Sequence, residues 1–105
     1  MQAETGAAAE GRGEVEAVYE RMPDIVLREI AGERFLIVLH AGESKMFALN
    51  GMGHWFWRQL EQPATAAELA ERMLRDYDAT EEQAAHEAAR FLAELVAKRL
   101  VRRAN

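Results

Sequence analysis

From Asp24 onward the apolar positions fall into three short runs of strand length. Ile25-Val26-Leu27-Arg28-Glu29-Ile30 is rich in β-branched residues and is followed by a turn signal at Gly32-Glu33. Arg34-Phe35-Leu36-Ile37-Val38-Leu39-His40 is nearly continuous in apolar residues, so as the middle strand it is expected to be the most buried. Ala41-Gly42-Glu43-Ser44 marks a second turn, and Lys45 to Leu49 a third, shorter strand. Residues 24–49 therefore predict a three-stranded antiparallel meander with hairpin-length connections.

After Asn50 the pattern becomes helical. Asn50 suits an N-cap, Met52, Trp55, Phe56 and Leu60 make one apolar face, and Pro63 closes the segment. Thr65 and Glu68 match a capping box for a second helix to about Tyr77, with Leu69, Ala70, Met73, Leu74 and Tyr77 on one face. Thr80 and Gln83 repeat the device for a last helix over about 81–99. The expected fold is α+β: the three-stranded antiparallel meander, then three helices.

Upstream, Val15, Val18, Tyr19 and Met22 recur at i, i+3, i+4 and i+7, which predicts a short helix over 14–22 ended by Pro23. Such a helix lies loosely on the domain or docks on a partner or a second subunit. Residues 1–13 offer too little apolar bulk to repay ordering and are expected to be a mobile tail. The organisation expected is thus an extension, 1–22, and one domain, 23–103.

Composition narrows the function classes. A chain of 105 residues has little room for a deep enclosed active site. Its formal net charge of −5 disfavours nucleic-acid binding, which draws affinity from Lys and Arg displacing counterions. With no cysteine there is neither a thiolate nucleophile nor a Cys-ligated metal. The N-terminus lacks a basic and apolar signal pattern, and no apolar run approaches the roughly 20 residues that span a bilayer, so a soluble, cytoplasmic protein is expected.

Chemistry is sparse. His40, His54 and His86 lie on different predicted elements without metal-ligand spacing, and Ser44, the single serine, sits in a turn without a nucleophile-elbow context. Gly51-Met52-Gly53 lacks the third glycine and the Lys of a phosphate loop and reads as a strand-to-helix junction. No catalytic residue, metal or cofactor is therefore expected. Trp55, Phe56 and Trp57 cannot share one helix face; either all three cap the meander, or Trp55 and Phe56 pack inward and Trp57 falls towards the side, partly exposed, where it anchors a partner. In the last helix the apolar positions cover an arc of roughly 200°, about twice what one core contact needs. Phe91, Leu95, Ala84 and Ala88 form one stripe, and Ala85, Ala89, Leu92 and Val96 an adjacent one whose small residues either admit a close backbone or simply favour the helix.

The residues from Pro23 to Val101 resemble the pyrroloquinoline quinone biosynthesis protein D family (PqqD-like), whose domain is also the RiPP recognition element. The resemblance is carried by Pro23, by Phe47-Ala48-Leu49-Asn50 running into Gly53 and the aromatic helix, and by Thr65-Ala66-Ala67-Glu68-Leu69. Tyr77, Phe91-Leu92, Leu95 and Leu100-Val101 complete it. It implies a winged-helix-like fold and a non-catalytic chaperone that binds the leader of a ribosomally made precursor peptide and presents it to a modifying enzyme, commonly a radical SAM protein. It also implies a leader strand added beside the third strand and lying against the third helix. Carried over, the binding residues are Lys45, Met46, Phe47, Ala48 and Leu49 with Ala85, Ala89, Leu92 and Val96. The chain departs from the family at Glu61-Gln62-Pro63, where a Gly usually lies between the first two helices, and at Arg99, where a Gly usually precedes the closing Leu-Val. The alternative is a winged helix-turn-helix regulator, disfavoured by Glu81, Glu82, Glu87 and Glu94 on its would-be recognition helix. Precursor, enzyme and oligomeric state are left open.

Overall fold

The computed structural model describes residues 16–40 and 43–105. The expected tail, together with Glu14 and Val15 of the expected first helix, lies outside the described residues.

The meander is present. Strands β2 (Ile25–Ile30), β3 (Glu33–His40) and β4 (Glu43–Leu49) form an antiparallel sheet in that order, joined between β2 and β3 at Ala31-Gly32. Both loop residues have positive φ, 54° and 84°, as a two-residue hairpin matched to the strand twist requires. Leu36 and Val38 of β3 are buried, as expected for the middle strand, while Leu39 on the opposite face is 52% exposed.

Three helices follow: α1 (Gly51–Gln59), α2 (Ala66–Asp76) and α3 (Glu81–Ala97). Each begins on the expected cap. Asn50 Oδ1 accepts from the Gly53 N–H at 2.7 Å, and Thr65 with Glu68 and Thr80 with Gln83 form reciprocal capping boxes. The end of α3 is a Schellman turn: the Arg99 N–H donates to the Val96 carbonyl at 3.0 Å and the Leu100 N–H to that of Leu95 at 2.9 Å. Arg99 therefore sits at φ 61°, the left-handed position that favours glycine. Here a side chain is tolerated at a cost.

The helix expected over 14–22 is corrected for its described part. Val18–Arg21 is a strand, β1, at the centre of a second antiparallel sheet between β5 (Ala64–Thr65) and β6 (Val101–Arg103). Pairing aligns Glu20 with Arg102, whose side chains meet at 2.7 Å. The physical reason is long-range. The helical spacing of Val18, Tyr19 and Met22 is a local signal, and it yields to partner strands more than forty residues away that supply both ladders and a face to bury.

That second sheet also alters the core, which joins Leu36 and Val38 to Phe56, Trp57, Leu60, Leu69, Met73, Phe91, Leu92, Leu95, Leu100 and Val101. Trp57 is buried, which removes the partly exposed alternative: the Arg21 guanidinium of β1 lies 4.4 Å over its ring and donates to its carbonyl oxygen. Trp55 keeps the wetter position. Its indole N–H reaches Asp76 at 2.8 Å, and its ring meets Phe56 and Tyr77 edge-on.

Candidate functional site

Strand β4 pairs only with β3 among the described residues, so it is a sheet edge. Which of its amides face outward follows from the register. Ile30 and Glu33 flank the two-residue hairpin and exchange both bonds, so Glu33, Phe35, Ile37 and Leu39 turn their backbone groups towards β2. The Leu39 N–H, donating to the Asp24 carbonyl at 2.8 Å, continues that parity. Arg34, Leu36 and Val38 then serve β4, where they oppose Leu49, Phe47 and Lys45. Lys45, Phe47 and Leu49 are thus bonded inward, and Met46 and Ala48 present their N–H and C=O groups to the free edge. Side chains alternate in the same way: Phe47 and Leu49 pack on the core, while Met46 is 57% exposed.

Beside this edge lies a groove of about 190 Å³ whose apolar walls are Phe47, Leu49, Phe91, Leu95 and Leu100. Its floor is stiff, because Phe91 stacks on buried Phe56 with ring centroids 4.6 Å apart. Gly53 lets the walls close: a Cβ there would stand 3.1 Å from Leu49 Cδ2 and 3.2 Å from Phe91 Cζ. The rim is charged. Arg90 bonds Glu87 at 3.0 Å, and Glu94 lies 3.9 Å from Arg90 and 3.4 Å from Lys98. The hydrogen bond from Arg90 holds the Glu87 carboxyl below its ordinary range and raises the pKa of Arg90 itself. Lys98 Nζ stands 5.6 Å from the Phe47 ring centroid. His54, in the first turn of α1, is pushed down by burial first and then by Arg34 and Arg58.

The other half of the expected site lies elsewhere. Ala89, Leu92 and Val96 line a second, apolar groove of about 530 Å³ together with Tyr19, Ala66 and Arg103. Ala85 is an exposed residue of the same stripe and lines neither groove. The structure therefore brings Phe47, Ala48 and Leu49 together with Phe91, Glu94, Leu95 and Lys98, and does not bring them to the stripe Ala85, Ala89, Leu92 and Val96. Lys45 and Met46 stand on the same edge strand, just beyond the groove's lining. The sequence signal for the side chains that line this groove is the stripe of Phe91 and Leu95; Asn50 and Gly53 were visible as a helix start and as part of the family pattern.

Two further arrangements bear on chemistry. No three His, Cys, Asp or Glu side chains gather as metal ligands among the described residues, and no helix there is long and apolar enough to cross a membrane. In comparisons with known proteins, the family described as coenzyme PQQ synthesis protein D (PqqD) matches residues 36–101, from the middle of β3 to the start of β6. Neither the curated proteins nor the solved structures give a match.

Proposed function

The chain belongs to the PqqD family, and from that premise we propose that it is a non-catalytic peptide chaperone for a ribosomally made precursor. Membership implies a part in the biosynthesis of PQQ or of ribosomally made peptide products, where members are generally non-catalytic accessory proteins. In the proposed mechanism the precursor's leader adds as a strand to β4. Its main chain bonds the outward groups of Met46 and Ala48, and every second side chain enters the groove against Phe91 and Leu95. The protein then presents the bound peptide to a modifying enzyme, for which a radical SAM protein is the proposed class.

One observation carries this reading: a row of outward backbone donors and acceptors lies directly beside an apolar groove that the same strand walls. Main-chain bonding gives affinity whatever the ligand's sequence, and the groove selects its side chains. The test is an NMR titration of labelled protein with a synthetic leader from a short precursor encoded beside this chain. Amide shifts at Met46, Ala48, Phe91 and Leu95 are expected. Shifts confined to Tyr19, Ala89 and Val96 would move the site to the other flank of α3, and no shifts anywhere would remove the proposed role.

A further inference from the structure

The groove's rim says more about the ligand than its floor does. Among the groove-lining residues Arg90 and Lys98 are cationic and Glu94 is the one acid. Lys45 adds a third cation one strand step beyond Phe47, on the same face. With Glu87, which pairs with Arg90, the rim holds three cations against two acids, an excess of one positive charge in a chain of formal net charge −5. Neither groove-lining cation is saturated by its partner. Glu87 accepts from Arg90 Nε and Nη2 at 3.0 and 3.1 Å, but Arg90 Nη1 is 3.9 Å from Glu94, outside hydrogen-bond range. Lys98 shares that same Glu94 at 3.4 Å, a long contact that engages one of its three donors.

The spacing converts this charge into a pattern. Phe91 meets Leu49 and Gly53 at one end of the groove and Lys98 lies over Phe47 at the other, so β4 and α3 run along it in opposite senses. Arg90, Glu94 and Lys98 are successive i, i+4 rungs, about 6 Å apart along a helix. Alternate side chains of an added strand recur about every 6.7 Å. Consecutive inward side chains of the ligand therefore come opposite consecutive rungs.

We propose that the peptide recognised at this site is acidic at two inward positions four residues apart, opposite Arg90 and Lys98, with an apolar residue midway that enters the groove beside Glu94 and Leu95. An acid at the midway position is rejected by Glu94, and a basic residue at either outer position meets a like charge. This rests on the strand-addition reading and specifies its ligand.

The probe is a displayed library of random 12-residue peptides, selected on four immobilised forms of the full chain: wild type, Met46→Pro, Arg90→Glu and Lys98→Glu. Both rim residues are half-exposed, with side chains 50% and 43% accessible, so their reversal leaves the core intact, which circular dichroism checks. The expected wild-type pool is enriched for an Asp or Glu, an apolar residue two positions on, and a second Asp or Glu two further on. Each reversal should exchange one acid for Lys or Arg, and wild-type-selected peptides should bind each reversed variant about three- to tenfold more weakly. A wild-type pool without paired acids, or one unchanged by both reversals, overturns the charge pattern; if Met46→Pro still abolishes capture, strand addition survives that failure. Acid-rich enrichment that persists on Met46→Pro overturns strand addition instead. No enrichment on wild type removes both.

Discussion

The two flanks of α3 carry grooves of opposite character. On the β4 flank the groove is the smaller, yet it adjoins the outward amides of Met46 and Ala48 and a rim of Arg90, Glu94 and Lys98. On the β1 flank the groove is nearly three times larger and lined by Ala, Leu, Val and Tyr with Arg103 at its margin. The strands near it are poor templates, since β5 has two residues and β6 three. Apolar volume alone thus favours the flank opposite the proposed site. What distinguishes a site for an extended peptide is a strand edge long enough to pair, placed where the ligand's alternate side chains have somewhere to go.

The largest effect is expected at Phe47. Phe47→Pro removes an inward ladder bond and a side chain packed on the core, and should cost roughly 2–4 kcal/mol of folding stability. Chemical denaturation measures this; a loss below about 0.5 kcal/mol would mean that the inward and outward amides have been exchanged.

A smaller effect of opposite sign is expected where α3 ends. Arg99 holds the left-handed position of the Schellman turn, so Arg99→Gly should stabilise the protein by about 1 kcal/mol, raising the thermal midpoint by several degrees. A lowered midpoint would show that the Arg99 side chain makes a contribution larger than its backbone strain.

Val96 sharpens the contrast between flanks. At 41% exposure it tolerates a charge, and Val96→Glu should leave leader affinity within about twofold of wild type while stability changes by less than about 0.5 kcal/mol. Leu92 cannot serve here, because it is only 3% accessible and a glutamate would bury an unpaired charge in the core. A large loss of affinity in Val96→Glu would restore the second groove to the binding site.

The smallest effect concerns pH. His54 titrates below its ordinary value because burial and the neighbouring Arg34 and Arg58 disfavour its charged form. A pKa depressed in the folded state means the unfolded chain binds the proton more readily. The contribution is therefore fully present above the unfolded value, near 6.5, and is lost as pH falls through the folded value. The thermal midpoint of His54→Gln should fall less than that of wild type between pH 7.5 and pH 5; parallel curves would contradict the assignment.

Much of this architecture was legible locally. The meander came from β-branched runs and turn residues, and the helix starts from Asn50, Thr65 and Thr80, because each signal lies within a few residues of the structure it causes. The strand β1 was not legible, since its ladders join Tyr19 to Ala64 and Arg103. That omission propagated into the site. The wide apolar arc of α3 announced two contact surfaces, but assigning them required knowing that a second sheet exists and takes the flank of Ala89, Leu92 and Val96. The position of Trp57 stayed open for the same reason, as Arg21 arrives on β1 to cover it. The edge strand itself was found; the direction of its amides emerged only with the register.

Met46→Pro separates pairing at the β4 edge from loss of the fold. Met46 lies at the free edge with its backbone N–H turned away from β3, so proline there removes an outward donor and leaves the inner ladder whole. Calorimetric titration with the leader peptide should show affinity reduced by about tenfold or more, while circular dichroism and the denaturation midpoint stay close to wild type. Wild-type affinity in a folded Met46→Pro variant would mean that the peptide does not pair with this edge.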